Sequence, residues 1–141
     1  MNKDKIFMPL EHHKIILPRP VNGPVYDGWT LERWLLKVCE EVGEAVTAGK
    51  HFERAVKKYK EALSLAMGDA VPEPRNAYAC CMEERVKQAR ANLCLELTDT
   101  ITAAVSVLEY LGCDFNERQR FQQEINDSNA CRDGGRRFKE E

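Results

Sequence analysis

Glu41 and Glu44 stand three residues apart within Lys37-Val38-Cys39-Glu40-Glu41-Val42-Gly43-Glu44-Ala45, and Glu96 and Asp99 stand three apart within Leu95-Glu96-Leu97-Thr98-Asp99-Thr100. On a helix, residues i and i+3 share one side, a turn apart, so each stretch presents a paired acid. At about 100° per residue, Leu31, Trp34, Leu35, Val38, Val42 and Ala45 form an apolar stripe. Glu41, Glu44 and Lys37 fall on its flank, and Glu40 points further round. Leu93, Leu97, Ile101, Ala104, Leu108 and Leu111 form a second stripe, with Glu96 and Asp99 on its edge beside Ala103. An acidic pair alone is an ordinary solvated helix face. Two pairs on the edges of two stripes that pack together bring four carboxylates to one seam. That is costly unless a cation neutralises them. An all-oxygen set suits a hard divalent ion, Mg2+ or Mn2+.

The elements that must position these acids are helices. Thr30 is the predicted N-cap of a first helix, with Glu32 in its first turn, ending near Ala48 with Gly49 as the stop. Phe52, Val56, Tyr59, Leu63 and Met67 predict a second helix ended by Gly68, and Ala70 to Pro74 a connector. Tyr78, Met82, Val86, Ala89, Leu93, Leu97, Thr100, Ala104, Val107 and Leu111 step by threes and fours. They predict a long third helix that must overrun its partner or kink. Its charged front, Glu83 to Arg90, has the character of an insertion or of a subunit contact, and Gly112 ends it. Asp114 with Glu117 gives a capping-box start to a fourth helix, whose modest apolar face is Phe115, Arg118, Phe121, Gln122 and Ile125. Residues 1–28 are irregular: Pro9, Pro18, Pro20 and Pro24 break helices, Asn22-Gly23 and Asp27-Gly28 signal turns, and Lys14 to Leu17 suit a short extended piece. No role is assigned to His12 and His13. The fold class is all-α, a four-helix bundle over 29–128 between that segment and an Arg/Gly-rich tail over 129–141.

At 141 residues and a formal charge of −2, the chain is one domain without the global basic field that draws proteins to nucleic acid. No uninterrupted apolar run of about eighteen residues is present, so no membrane span is expected, and the N-terminus lacks a signal-peptide block. The six cysteines include no CxxC. Cys39, Cys94 and others fall within helical patterns and fit small buried hydrophobes of a reducing cytoplasm better than a zinc knuckle or a disulfide framework.

Glu40-Glu41-x-x-Glu44 with Glu96-x-x-Asp99 resembles the EExxE…ExxD signature of the MazG-like, all-α nucleoside triphosphate pyrophosphohydrolases. Trp34-Leu35-x-Lys37-Val38-x-Glu40-Glu41-Val42-Gly43-Glu44 is similar to that family's first motif and Glu96-Leu97-x-Asp99-x-x-x-Ala103 to its second. The tail Asn129-Ala130-Cys131-Arg132-Asp133-Gly134-Gly135-Arg136-Arg137-Phe138 is similar to its Asn-x-x-Arg-x-Gly ending. The likeness covers roughly residues 29–49 and 92–138. The chain departs from the pattern in one respect: roughly fifty residues separate Glu44 from Glu96, more than is usual in that family.

The resemblance implies hydrolysis of a nucleoside triphosphate to the monophosphate and pyrophosphate. Glu41, Glu44, Glu96 and Asp99 would hold Mg2+, with Mn2+ as the other candidate, and Glu40 would be an outer-shell residue or a base. Lys37 would screen the carboxylates or meet a phosphate, and Asn129, Arg132 and Arg136 would contact phosphates from the tail. Trp29, Trp34 and Phe52 are candidates to line the base slot, although aromatics at helical spacing are more often core. A homodimer or homotetramer is implied, covering the apolar edges of the long third helix. Three rivals stand beside this. One is a non-catalytic helical module that binds nucleotide or protein. The second is a di-iron carboxylate bundle, which needs Glu-x-x-His motifs that the sequence lacks. The third is a degenerate member of the resembled family that binds a nucleotide without cleaving it.

Overall fold

The computed structural model describes residues 22–66 and 73–132. The expectations for Lys14 to Leu17, His12, His13, Gly68 and Arg136 lie outside them. A 3-10 turn at Pro24–Tyr26 leads through Gly28, at φ 77°, to the first helix. Thr30 caps that helix as expected. Its hydroxyl accepts from the Arg33 N–H at 3.3 Å, and its carbonyl accepts from the Trp34 N–H at 3.1 Å.

The first helix, α1, then runs without a break over Leu31–Ala66. Gly49 does not stop it. The predicted first and second helices are one, and the described residues hold three helices and no strand. A glycine ends a helix where the chain beyond it has nothing to gain by staying helical. Here Phe52, Ala55, Tyr59 and Ala62 continue the same inward side after Ala45 and Ala48. Their packing outweighs the roughly 1 kcal/mol that an interior glycine costs.

The second helix, α2, spans Glu73–Tyr110, so it begins within the predicted connector, with Pro74 in the first turn where proline is tolerated. It ends as its sequence predicts. Gly112, at φ 70°, lets its own N–H reach the Glu109 carbonyl at 3.0 Å and the Cys113 N–H reach the Leu108 carbonyl at 2.9 Å. This is the paired closure of a Schellman motif. The third helix, α3, covers Phe115–Cys131, with the Asp114 carboxylate accepting from the Glu117 N–H at 2.9 Å. It carries Asn129 within its last turn, past the predicted start of the tail.

The two long helices form an antiparallel pair. Ala62 packs with Ala79 and Met82 next to the connector, and a methyl added at Gly49 would stand 4.0 Å from Leu93 further along. Because α1 is continuous, it matches α2 in length, and α2 neither overruns it nor needs a kink. Most of the side chains turned inward from α1 are Trp34, Val38, Glu41, Ala45, Ala48, Phe52, Ala55, Tyr59, Ala62 and Ala66. From α2 come Ala79, Met82, Val86, Ala89, Leu93, Glu96, Thr100, Ala103 and Val107. Both sets step alternately by three and four, the 3.5-residue period of a left-handed supercoil. Many are alanine, so the backbones approach closely.

This seam is rotated from the predicted stripes, and Cys39 and Cys94, expected to be buried, are exposed on the sides turned away from it. Leu35, Val42, Leu97, Ile101 and Leu111 are 44–58 % exposed, whereas Glu41 lies in the seam. Leu35, Val42, Val56 and Leu63 recur in sevens on one flank of α1, and Leu97, Ala104 and Leu111 do so on the facing flank of α2. The hairpin therefore leaves an apolar flank open, and α3 packs against neither long helix among the described residues. Between Asn76 and Tyr110, α2 holds an 18-residue window of mean hydropathy 1.3, of which 17 % is buried within the chain. By length and composition it is apolar enough to cross a membrane, which corrects the expectation that the chain has no such stretch. That expectation counted uninterrupted apolar runs, whereas the mean is reached with Glu96 and Asp99 among the leucines and valines.

Candidate metal centre

The opposite flank of the hairpin is polar. On α1, Lys37, Glu44 and His51 recur in sevens; on α2, Asn92, Asp99 and Ser106 do the same. In an antiparallel pair with this register these two rows face each other across the seam. Glu41 and Glu96 occupy seam positions directly beneath them.

Carboxylate oxygens of Glu41, Glu44 and Glu96 lie within 4.8 Å of one another. Two of the three come from one helix and the third from its partner, so the group exists only when the seam is closed. Glu41 is 7 % exposed, Glu96 is half-buried and Glu44 is exposed. Asp99, one turn beyond Glu96 on the same flank, is exposed and outside this group. The structure thus brings together three of the four predicted ligands.

Lys37 brings a cation to this acidic group. Its ammonium donates to Glu41 at 2.6 Å and sits 3.3 Å from Glu40. The Glu41 carboxylate, followed by Glu40, holds the Lys37 pKa well above its usual value against the opposing effect of burial. Glu40 itself points outward, as its facing predicts. Neither Glu44 nor Glu96 has an ion-pair partner among the described residues.

The Glu44 pKa is raised, first by the negative charge of Glu41, then by desolvation, then by the charges of Glu96 and Glu40. The sign of the linkage follows from that direction. A carboxyl whose folded value lies above its unfolded value favours the fold below the unfolded value, and this advantage is lost as pH rises through the raised one. Ion-free protein is therefore expected to lose stability across that acidic window. Glu44→Gln, which cannot charge, should flatten the loss and melt higher than the parent at neutral pH. Melts from pH 4 to 8 in a chelator check this, and an unchanged profile for the variant would remove Glu44 from the cluster's electrostatics.

Two shallow hollows lie along this flank, one on either side of the buried acid. The first is lined by Glu40, Glu44, Thr47, His51, Asn92 and Glu96. The second is lined by Asn22, Tyr26, Trp29, Trp34, Ser106 and Tyr110, among others. In the second, Tyr26 and Trp34 stack with ring centroids 5.4 Å apart, and Trp29 stands 4.6 Å from Tyr26 and 5.0 Å from Trp34. The Asn22 amide donates to the Ser106 hydroxyl at 3.1 Å, tying the segment before α1 to α2. The Arg33 guanidinium lies 4.7 Å over the Trp29 ring.

Trp34 is a seam residue with its ring buried among aromatics, while Trp29 is half-exposed at the rim. Phe52 is half-buried in the seam and lines neither hollow. Asn129 and Arg132 share a surface hollow with Phe121 and Ile125 along α3. Since α3 packs on neither long helix, the structure does not bring them to the acids of their own chain. His51, Asn92, Asn22 and Ser106 were not singled out from the sequence. The recurrence in sevens would have found His51, Asn92 and Ser106, since each lies a multiple of seven from an acid already on this flank.

The donor set fits a divalent ion. It has carboxylate oxygens only, within 4.8 Å of one another, in a place where their mutual repulsion raises the Glu44 pKa. Comparison of the chain with known protein families, with curated proteins and with solved structures finds no significant match.

Proposed function

We propose that the chain is a Mg2+-dependent nucleoside triphosphate pyrophosphohydrolase, with Mn2+ as the alternative ion. The observation that carries this reading is the convergence of Glu41, Glu44 and Glu96 from two helices on one point, with an aromatic hollow on the same flank. Trp34 and Glu41 are seven residues apart, about 10 Å along a helix, a separation suited to a base at one end and a phosphate at the other. The acidic motifs around these residues resemble those of MazG-like pyrophosphohydrolases, and the closeness of Glu41, Glu44 and Glu96 supports this reading.

In this reading Glu41, Glu44 and Glu96 would hold the ion, and Asp99, one turn along α2 from Glu96, would join them through water. The bound ion supplies charge neutralisation for the triphosphate oxygens. Glu41 is 7 % exposed in the seam and paired with Lys37, and both hold it in place. Lys37 balances the charge of Glu41 and Glu40 and would screen these carboxylates in the site or meet a phosphate. Glu40 or Glu44 takes the proton of the attacking water as its oxygen bonds to the α-phosphorus. The bond from that phosphorus to the α–β bridging oxygen breaks, and pyrophosphate leaves with the bonding pair. Trp29, with the Tyr26 and Trp34 rings behind it, offers the stacking wall for the base.

The open apolar flank is assigned in the same reading to a second copy of the chain. Pairing two hairpins would give the four-helix bundle that one copy does not contain, as a homodimer or, doubled again, a homotetramer. Arg132 and Asn129 on α3 would then meet phosphates across that assembly.

The test is incubation with a panel of nucleoside triphosphates and Mg2+, with separate detection of pyrophosphate and orthophosphate. Pyrophosphate with equimolar monophosphate is the expected product pair. Orthophosphate release refutes cleavage at the α-phosphorus. Absence of any turnover, together with a melting temperature that millimolar Mg2+ does not raise, returns the chain to a non-catalytic helical module.

A further inference from the structure

We infer that the polyphosphate of the substrate runs from the acidic group toward His51 and Asn92, which hold the departing pyrophosphate. This inference rests on the proposed activity and adds a direction to it. His51 lies seven residues beyond Glu44 on α1, and Asn92 lies four before Glu96 on α2. The helices are antiparallel, so these two steps lead the same way, and both residues line one hollow with Glu44 and Glu96.

The ends of the flank differ in chemistry. Toward the start of α1, the wall is aromatic: Tyr26, Trp29 and Trp34. Toward the connector, the wall carries an imidazole and a carboxamide, groups whose N–H donors suit phosphate oxygens. Both side chains are exposed, and neither makes a hydrogen bond within the chain among the described residues. Thr47 lies between them and the acids, but its hydroxyl proton is already given to the Gly43 carbonyl at 3.1 Å, which leaves His51 and Asn92 as the available donors. A nucleotide laid the other way would set its base against these polar groups and its outer phosphates among three aromatic rings. The orientation with the base at Trp29 and the leaving group at His51 matches each end to its wall.

The experiment is calorimetric titration of the full-length chain with magnesium pyrophosphate and, separately, with nucleoside monophosphates. It compares the wild type with His51→Ala and Asn92→Ala, whose folding is checked by thermal melts. Each substitution is expected to weaken pyrophosphate binding by about tenfold, the loss of one hydrogen bond to a charged group, and to leave monophosphate binding unchanged. Unchanged pyrophosphate affinity in both variants overturns the inference, as does an equal loss for monophosphate. A wild type that binds neither probe overturns it as well. The proposed activity fails separately. A wild type that binds pyrophosphate but cleaves no triphosphate ends that reading, while the variants still decide whether His51 and Asn92 hold phosphate.

Discussion

Glu41→Gln is expected to lower Mg2+-dependent pyrophosphate release by about 100-fold or more, the scale on which losing a charged group at a reacting phosphate acts, while the helices persist. Glutamine keeps the shape of the side chain, so the packing of the seam around it is undisturbed. What it removes is the central negative charge, which both repels Glu44 and anchors Lys37. The ion-free variant gains relief of that repulsion but loses the pairing with Lys37, so it should melt close to the parent, and Mg2+ should no longer raise its melting temperature. Loss of activity with loss of helicity would indicate a structural residue instead. Full activity in a folded variant would remove Glu41 from the chemistry and with it the proposed function. Asp99→Asn is the informative companion. Because Asp99 is exposed and outside the close group, its loss should cost less activity than Glu41→Gln in the same assay.

Met82→Ala is expected to cost about 2–5 kcal/mol of folding free energy, seen as a fall in melting temperature on the order of 10 °C. Met82 is 3 % exposed and packs with Ala62 and Ala79, with Tyr59 against them. Those neighbours are small or already committed across the seam, so little can move in to refill the space. Urea unfolding followed by circular dichroism measures the loss. A change below about 0.5 kcal/mol, the range of an exposed site, would show that the seam does not close at this end.

The helical class, the Thr30 and Asp114 starts and the Gly112 stop were legible because each is a local device: a hydroxyl or carboxylate over a free N–H, or a glycine at positive φ. The length of α1 was not legible. Whether Gly49 ends a helix depends on what lies across from it, and Leu93 is 44 residues away in sequence. The rotation of the seam was missed for a related reason. Counting leucines and valines favours the widest apolar stripe, but two helices approach along their narrowest side chains, and here those are alanines. That choice moved Glu41 inward and put Leu35, Val42 and Leu97 outside. The acidic group survived the rotation because Glu41, Glu44 and Glu96 lie on or beside the seam under either description. Asp99 sits one step further round and remained at the edge.

A seam with a repeat of seven constrains how such a hairpin can change size. Adding residues to one helix alone would shear every layer past its counterpart, and adding three or four to both would turn the acidic row toward the apolar side. Growth by whole heptads, made in both arms at once next to the connector, preserves every layer. It leaves Glu41, Glu44 and Glu96 at their fixed distance from the open end. Beyond His51 and Asn92, residues 52–66 of α1 and 76–90 of α2 have the form of such a paired extension. The long spacing between the two acidic motifs is, in three dimensions, no separation at all.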